Sequence, residues 1–414
     1  MNFETKPSAR AYGQRDPRLD FFRGLGMFII FIAHIPLNAW TLWIPARFGF
    51  SDATEIFVFC SGMASAIAFG RVFEDRGWWM GAARVSHRVW QVYWSHIALF
   101  LVIAAMVVFL DSTGWHGEEN HFRDRLNLVW FFDNTATNLV GLLTLTYVPN
   151  YFDILPMYLV ILAMMPIVVL LSWQSRYLAA AFIAAIWLGA NFGLLWLPAE
   201  PWSEREWFFN PFGWQLVFFT GFAFMRGWIP APPLRGWLIG AAIAVVILTI
   251  PVAWYRIYTE VGLFQEWREA LRPLIWKTDF GLLRYVHFLA LAYVAWAAAG
   301  EGGWRLLIGG LWGRFVRIVQ KVGQQSLAVF LASMVLAQAA GAVLDFIGRD
   351  ALTFAAVNIS GFLVITGVAY VTAWYKSQPW RGPKPVPYQP SDPGKQGAAT
   401  SERGETERMG ARNT

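Results

Sequence analysis

The 414-residue chain holds a single cysteine, Cys60, so neither an intrachain disulfide nor a cysteine-built metal site is open to it. Charge is scarce too. Asp, Glu, Lys and Arg make up 14% of residues, against about 25% in a typical soluble domain. So few charges cannot cover a water-facing surface, which excludes an ordinary soluble enzyme. A phosphate-binding glycine loop is lacking: Gly24-Leu25-Gly26 opens an apolar run instead of a strand–helix turn. No repeat of about 20–50 residues is found, which excludes propellers and solenoids. His116 and His121 are five apart with a glycine between them, which is not the zinc-protease pattern, so a solvated loop and no metal site are expected there. Met1 to Arg23 holds no apolar run, so the first helix is expected to be an uncleaved insertion signal.

What the chain has in excess is apolar and aromatic. Hydrophobic residues reach 57%, with 24 Trp and 34 Phe. An all-α integral membrane protein follows, its Trp and Tyr suited to the two interfaces. Runs of about 20 apolar residues predict ten spans, near 20–44, 52–70, 85–110, 151–171, 177–197, 211–228, 235–253, 280–299, 323–346 and 352–375. With the N-terminus in the cytoplasm, 23 of the 33 Lys and Arg fall on the cytoplasmic side and 9 on the other. That bias predicts both termini inside. The organisation read from this is a cytoplasmic segment over 1–18, a membrane domain over 19–375 and a disordered cytoplasmic tail over 376–414, rich in proline and then polar. Two longer outer segments, 111–150 and 254–279, read as interfacial helices able to roof a cavity or receive a partner. Their aromatic residues, with those of 202–214, suit stacking on sugar rings.

An ionisable residue in lipid costs about 2.5–3.5 kcal/mol or more, so each is a functional candidate. His34 lies eleven residues after Arg23, roughly 16 Å along a helix, which sets it past the midplane toward the outer face. The blander reading is a histidine that only bonds a neighbouring helix. Asp52 and Ser51 are placed to cap the second span. Glu55 stands one turn deeper, where capping explains it poorly and orienting an imidazole explains it better. Arg284 and His287 share a face of the eighth span, with His287 a rival base and a snorkelling arginine the plain alternative. Arg84 and Arg88 open the third span as a pair able to grip phosphates, or as ordinary positive-inside charge. Asp153 begins the fourth span. Asn210, Trp214 and Gln215 begin the sixth, as candidates for a cavity wall or interhelix bonds.

Several stretches together resemble one family. They are Arg15-Asp16-Pro17-Arg18-Leu19-Asp20-Phe21-Phe22-Arg23-Gly24, His34-Ile35-Pro36, Gly49 to Gly62, Asp153 to Tyr158, Phe209 to Gln215 and Gly323-Gln324-Gln325-Ser326-Leu327. Over about 15–375 the chain is similar to the OpgC family of inner-membrane succinyltransferases acting on osmoregulated periplasmic glucans. The wider membrane acyltransferase family has an arginine, ten intervening residues and then its catalytic histidine, which Arg23 and His34 match, and a Ser-Gly pair matched by Ser61-Gly62. Its arginine pair has spacing three, whereas Arg84 and Arg88 have spacing four. The resemblance implies a multi-pass enzyme of the bacterial inner membrane, with succinyl coenzyme A as a cytoplasmic donor, no permanent cofactor and a periplasmic glucan acceptor. It implies His34 as general base, oriented by Glu55 or Asp52. Arg23, Arg84, Arg88 and Ser61 fall to the donor. Arg284, His287, Asp153, Asn210, Trp214 and Gln215 fall to the acyl chain or acceptor, with Arg284 on the free succinyl carboxylate. The bilayer is a partner, nucleic acid is not, and a homo-oligomer stays open. A transporter or flippase, in which such residues relay protons or bind substrate, is the competing class. An acetyltransferase for another envelope glycan competes within the enzyme class.

Overall fold

Pro17 starts the first helix, α1 (Pro17–His34), where its missing N–H costs nothing, and the Asp16 carboxylate caps that end by accepting from the Arg18 amide. The computed structural model describes residues 16–114 and 122–381. Residues 1–15, the loop histidines His116 and His121, and 382–414 of the expected tail lie outside the described residues. Helix α1 stops at His34 and does not run to 44 as expected. The cause is Pro36, which has no N–H for the Ile32 carbonyl. Asn38 Nδ2 donates to that carbonyl instead, at 3.2 Å. The chain then turns through two 3₁₀ pieces, Ala39–Trp43 and Pro45–Arg47.

Ten further long helices follow. They are α2 (Ala53–Ala68), α3 (Trp78–Ser112), α4 (Ile154–Gln174), α5 (Arg176–Asn191), α6 (Pro211–Met225), α7 (Gly236–Ala253), α8 (Leu282–Ala299), α9 (Gly310–Gln324), α10 (Ser326–Ile347) and α11 (Ala351–Ser377). Among the described residues there is no strand, only one bridge between Pro198 and Glu206. Among the described residues, seven helical runs are long and apolar enough to cross a membrane: 53–76, α3, α4, α7, α8, α10 and α11. The other three of the expected ten fall short by that measure. Helices α5 and α6 are apolar but have 16 and 15 residues, and α1 carries Arg18, Asp20 and Arg23 in its first half.

Two more boundaries differ from expectation. The third span begins at Trp78, so Arg84 and Arg88 sit inside a 35-residue helix and do not open it. The ninth span, expected from 323, begins at Ser326, and a break at Gln325 separates it from a further helix, α9. The piece before the break, α9, is amphipathic: Val316, Val319 and Val322 are buried, while Arg314 and Arg317 are exposed. The outer segments fold into short helices, Phe122–Arg125, Val129–Asp133 and Thr135–Thr144 in one, and Tyr255–Tyr258, Gly262–Ala270 and Arg272–Ile275 in the other. The helix of α11 also runs past residue 376, where the tail was expected to begin.

Glycines bring the central helices together. A Cβ at Gly24 would collide with the Val319 carbonyl, and one at Gly323 with the Asp20 carbonyl, so α1 and α9 touch backbone to backbone. Gly62 and Gly221 meet the Phe218 and Phe59 carbonyls in the same way, seating α2 on α6. Such small-residue seams let dispersion act at close range where lipid supplies no hydrophobic drive. The chain divides into a body up to Ala373 and a terminal unit from Trp374. In the latter, Trp374 packs on Tyr375 with ring centroids 5.0 Å apart and on Trp380 at 6.0 Å.

Candidate functional site

His34 is the last residue of α1, and a helix end leaves carbonyls that side chains can reach. Its Nδ1 lies 2.7 Å from the Ile30 carbonyl oxygen. A carbonyl only accepts, so Nδ1 carries the proton and donates, and Nε2 keeps the lone pair. Among the described residues Nε2 has no hydrogen-bond partner. The ring meets Tyr151 edge-on, at 5.6 Å between centroids. Tyr151 holds a φ of 72°, a left-handed conformation that side chains rarely adopt and that costs about 1–3 kcal/mol.

His34 and Tyr151 line a cavity of about 870 Å³. Its walls come from the end of α1, the 41–54 segment and the 150–154 turn, with Phe208, Phe209, Trp276 and Lys277 opposite. Asp52 and Asp153 both line it, as do Arg47, Arg125, Arg205 and Glu206. Asp153 accepts from the Phe208 amide at 3.2 Å, tying the 150–154 turn to the 205–209 strand-like segment. That segment is braced by Arg205, which donates to Glu200 at 2.9 Å and to the Val148 carbonyl at 2.8 Å. Burial works against the Glu200 charge, but Arg205, Ser203 and Asn127 donate to it and hold its pKa below the usual range.

Glu55 does not orient His34. It completes a capping box on α2, accepting from the Asp52 amide at 2.7 Å, while Asp52 accepts from the Thr54 amide at 2.7 Å. Capping therefore explains Glu55 as well as Asp52. Its other oxygen takes Arg284 Nη1 at 2.6 Å, and Glu55 is fully buried. Asp52 in turn takes Lys277 Nζ at 2.5 Å. Two acids and two bases thus alternate from α2 to the start of α8, each charge facing its opposite. Arg284 is spent on Glu55 and does not line the cavity. His287 is also apart from it: Nδ1 lies 2.7 Å from Ser51 Oγ, and the ring edge presses on Gly49.

Asn210, Trp214 and Gln215 are scaffold residues that stand off the cavity wall. Asn210 caps α6 and donates to Asp279 at 2.8 Å and to the Leu195 carbonyl at 2.7 Å. Trp214 donates to the Lys277 carbonyl at 2.9 Å and so fixes the lysine's backbone. Gln215 donates to the Ile183 carbonyl at 2.8 Å, joining α6 to α5. Near the start of α1, Arg23 bonds the Ser326 hydroxyl. Ser61 is buried midway along α2. Arg84 is exposed and Arg88 donates to Gln91 at 3.2 Å, so neither faces the His34 cavity. Sequence reading missed Tyr151, Arg47, Arg205 and Lys277. All four lie in connectors, where spacing carries no periodic signal.

The cavity thus offers one imidazole with a free lone pair, a wall of aromatic rings and charges of both signs. That set suits removal of a proton from a polar substrate held against the rings. No curated protein and no solved structure matches the chain. A family model described as OpgC protein matches residues 15–377, which is most of the chain. The chain therefore belongs to the OpgC family, whose members modify glucans by acyl transfer in the membrane.

Proposed function

We propose that this protein moves a succinyl group from succinyl coenzyme A, across the bacterial inner membrane, to glucose hydroxyls of osmoregulated periplasmic glucans. In this reading ten helices, α1–α8, α10 and α11, cross the bilayer, both termini are cytoplasmic, and the His34 cavity opens to the periplasm. The observation that carries the chemistry is the His34 ring: its Nδ1 is committed to the Ile30 carbonyl and its Nε2 is open in the cavity. Nε2 takes the proton of a glucose hydroxyl as that oxygen attacks the thioester carbonyl. The new C–O ester bond forms, the C–S bond breaks, and the departing thiolate takes that proton from Nε2 to become the coenzyme A thiol. General-base help of this kind is worth about 10²–10⁴-fold.

Other residues take supporting parts. Asp52 lines the same cavity and offsets the charge that the ring gains. The pair Arg84, exposed, and Arg88, half-buried, in the first turns of α3, fits the donor's phosphates. Arg23 and Ser61 lie along the pantetheine route in this reading. Phe208, Phe209 and Trp276 offer stacking faces to sugar rings. The test is acyl transfer by His34→Ala in membranes supplied with donor and glucan. Loss of about 10²–10⁴-fold is expected, with unchanged thermal unfolding. Undiminished transfer by a folded variant would overturn the assignment.

A further inference from the structure

Four cationic side chains line the His34 cavity, and three are committed to acids. Lys277 lies 2.5 Å from Asp52, Arg125 2.5 Å from Asp345 and Arg205 2.9 Å from Glu200. Arg47 is the exception. It has no carboxylate partner among the described residues, and its one hydrogen bond runs from Nε to the Thr41 carbonyl at 3.1 Å. Both terminal nitrogens of its guanidinium are therefore unspent.

The segment that carries Arg47 is fixed in place. Asn38 and Asn358 exchange amide hydrogen bonds at 3.0 and 3.2 Å, and both are buried. Asn38 also caps the Ala39–Trp43 turn through the Trp40 amide. Arg349 donates to the Pro36 carbonyl at 2.8 Å. Pro45 opens the turn that ends on Arg47, and the Phe48 amide donates back to the Pro45 carbonyl at 3.0 Å. Arg47 is exposed on a backbone held in this way, and its planar fork matches a carboxylate or phosphate with two parallel bonds.

We infer that Arg47 is an anion subsite of the His34 cavity, binding a carboxylate or phosphate on the substrate while the reacting atoms lie at His34. This rests on the acyl-transfer reading and deepens it, since it moves anion recognition from Arg284, which Glu55 occupies, to a cavity residue with no acid of its own. The anion has two sources, the far end of the acyl chain or a charged substituent on the glucan.

The experiment measures kcat/KM for wild type and Arg47→Gln with succinyl or acetyl donor, each on neutral or carboxylate-bearing glucan. A charge-assisted hydrogen bond is worth about 1.5–3 kcal/mol, so Arg47→Gln is expected to lose about 10- to 100-fold more on pairings that carry the recognised anion than on those that lack it. A differential that follows the donor assigns the acyl carboxylate, and one that follows the glucan assigns the acceptor. Equal loss across the four pairings, or none, overturns the subsite. Arg47→Lys retains charge without the fork and is expected to recover part of the differential, which separates anion binding from loop damage. His34→Ala run beside it is expected to lose every pairing; transfer that persists there would overturn His34 as the base, and wild type that transfers with no pairing would overturn the acyl-transfer reading.

Discussion

Glu55 is fully buried, and Arg284, with the Asp52 amide, makes that tolerable. Removing one member of a buried ion pair leaves the other unpaired, at a cost of about 3–5 kcal/mol, whereas replacing both with apolar groups is often neutral. Arg284→Met is therefore expected to lower the thermal midpoint in detergent sharply, and Arg284→Met with Glu55→Met to restore most of it. If the double variant is no better than the single, the pair has no special coupling. The charges of Glu55 and Arg284 were visible in the sequence as intruders in lipid, but their pairing was not, because 229 positions separate them. His34 was legible for a local reason, its place eleven residues after Arg23 at the end of an apolar run. Arg47 was not, since an arginine in a connector looks like any outer-loop charge.

At the scale of elements, glycine seams and capped turns set where the site residues stand. Gly62→Ala drives a Cβ into the Phe218 carbonyl. Backbone cannot swing aside like a flexible side chain, so a loss of about 1–3 kcal/mol or more is expected. It would be read as a lower yield of folded protein and a lower unfolding midpoint. Gly236, with open space around its Cβ position, is the control and should accept alanine without loss. The 198–207 connector carries a pH dependence. Burial opposes the Glu200 charge, but Arg205 and its other donors win and depress the pKa in the folded state. Such a group stabilises fully above its unfolded pKa, near 4.5, and that contribution fades as pH falls through the lower folded value. The protection of the Ala199 and Trp207 amides, bonded to the Arg205 and Leu197 carbonyls, against hydrogen exchange, taken relative to the intrinsic rate at each pH, should fall below about pH 4.5 in wild type. In Glu200→Gln it should lack that step. The helices were legible from apolar run length, and the ninth span was read to start at 323 against Ser326 in the structure. The short helix α9 was not legible, because Arg317, Gln320 and Lys321 interrupt its valines and no apolar run marks it.

Across the whole molecule, the proposed orientation rests on the balance of Lys and Arg, which would put one end of the bundle in the cytoplasm. The lone cysteine makes this easy to check. Cys60 is buried, and replacing it with alanine gives a background for single-cysteine labelling. Cysteines at Arg84 and Arg314, both exposed, should react with an impermeant maleimide only from the cytoplasmic side of vesicles. Cysteines at Trp202 and Trp267, also exposed, should react only from the other. Labelling of both sets from one side would overturn the ten-span topology.

The tie between His34 and Ile30 has a consequence for proton movement. With Nδ1 held by a carbonyl, the imidazole has one working nitrogen. A proton that arrives at Nε2 must leave from Nε2, into the same cavity. The ring is thus a terminus and not a relay station: in the proposed reaction it takes the hydroxyl's proton and hands it on from the same nitrogen, and it opens no proton path of its own through the protein.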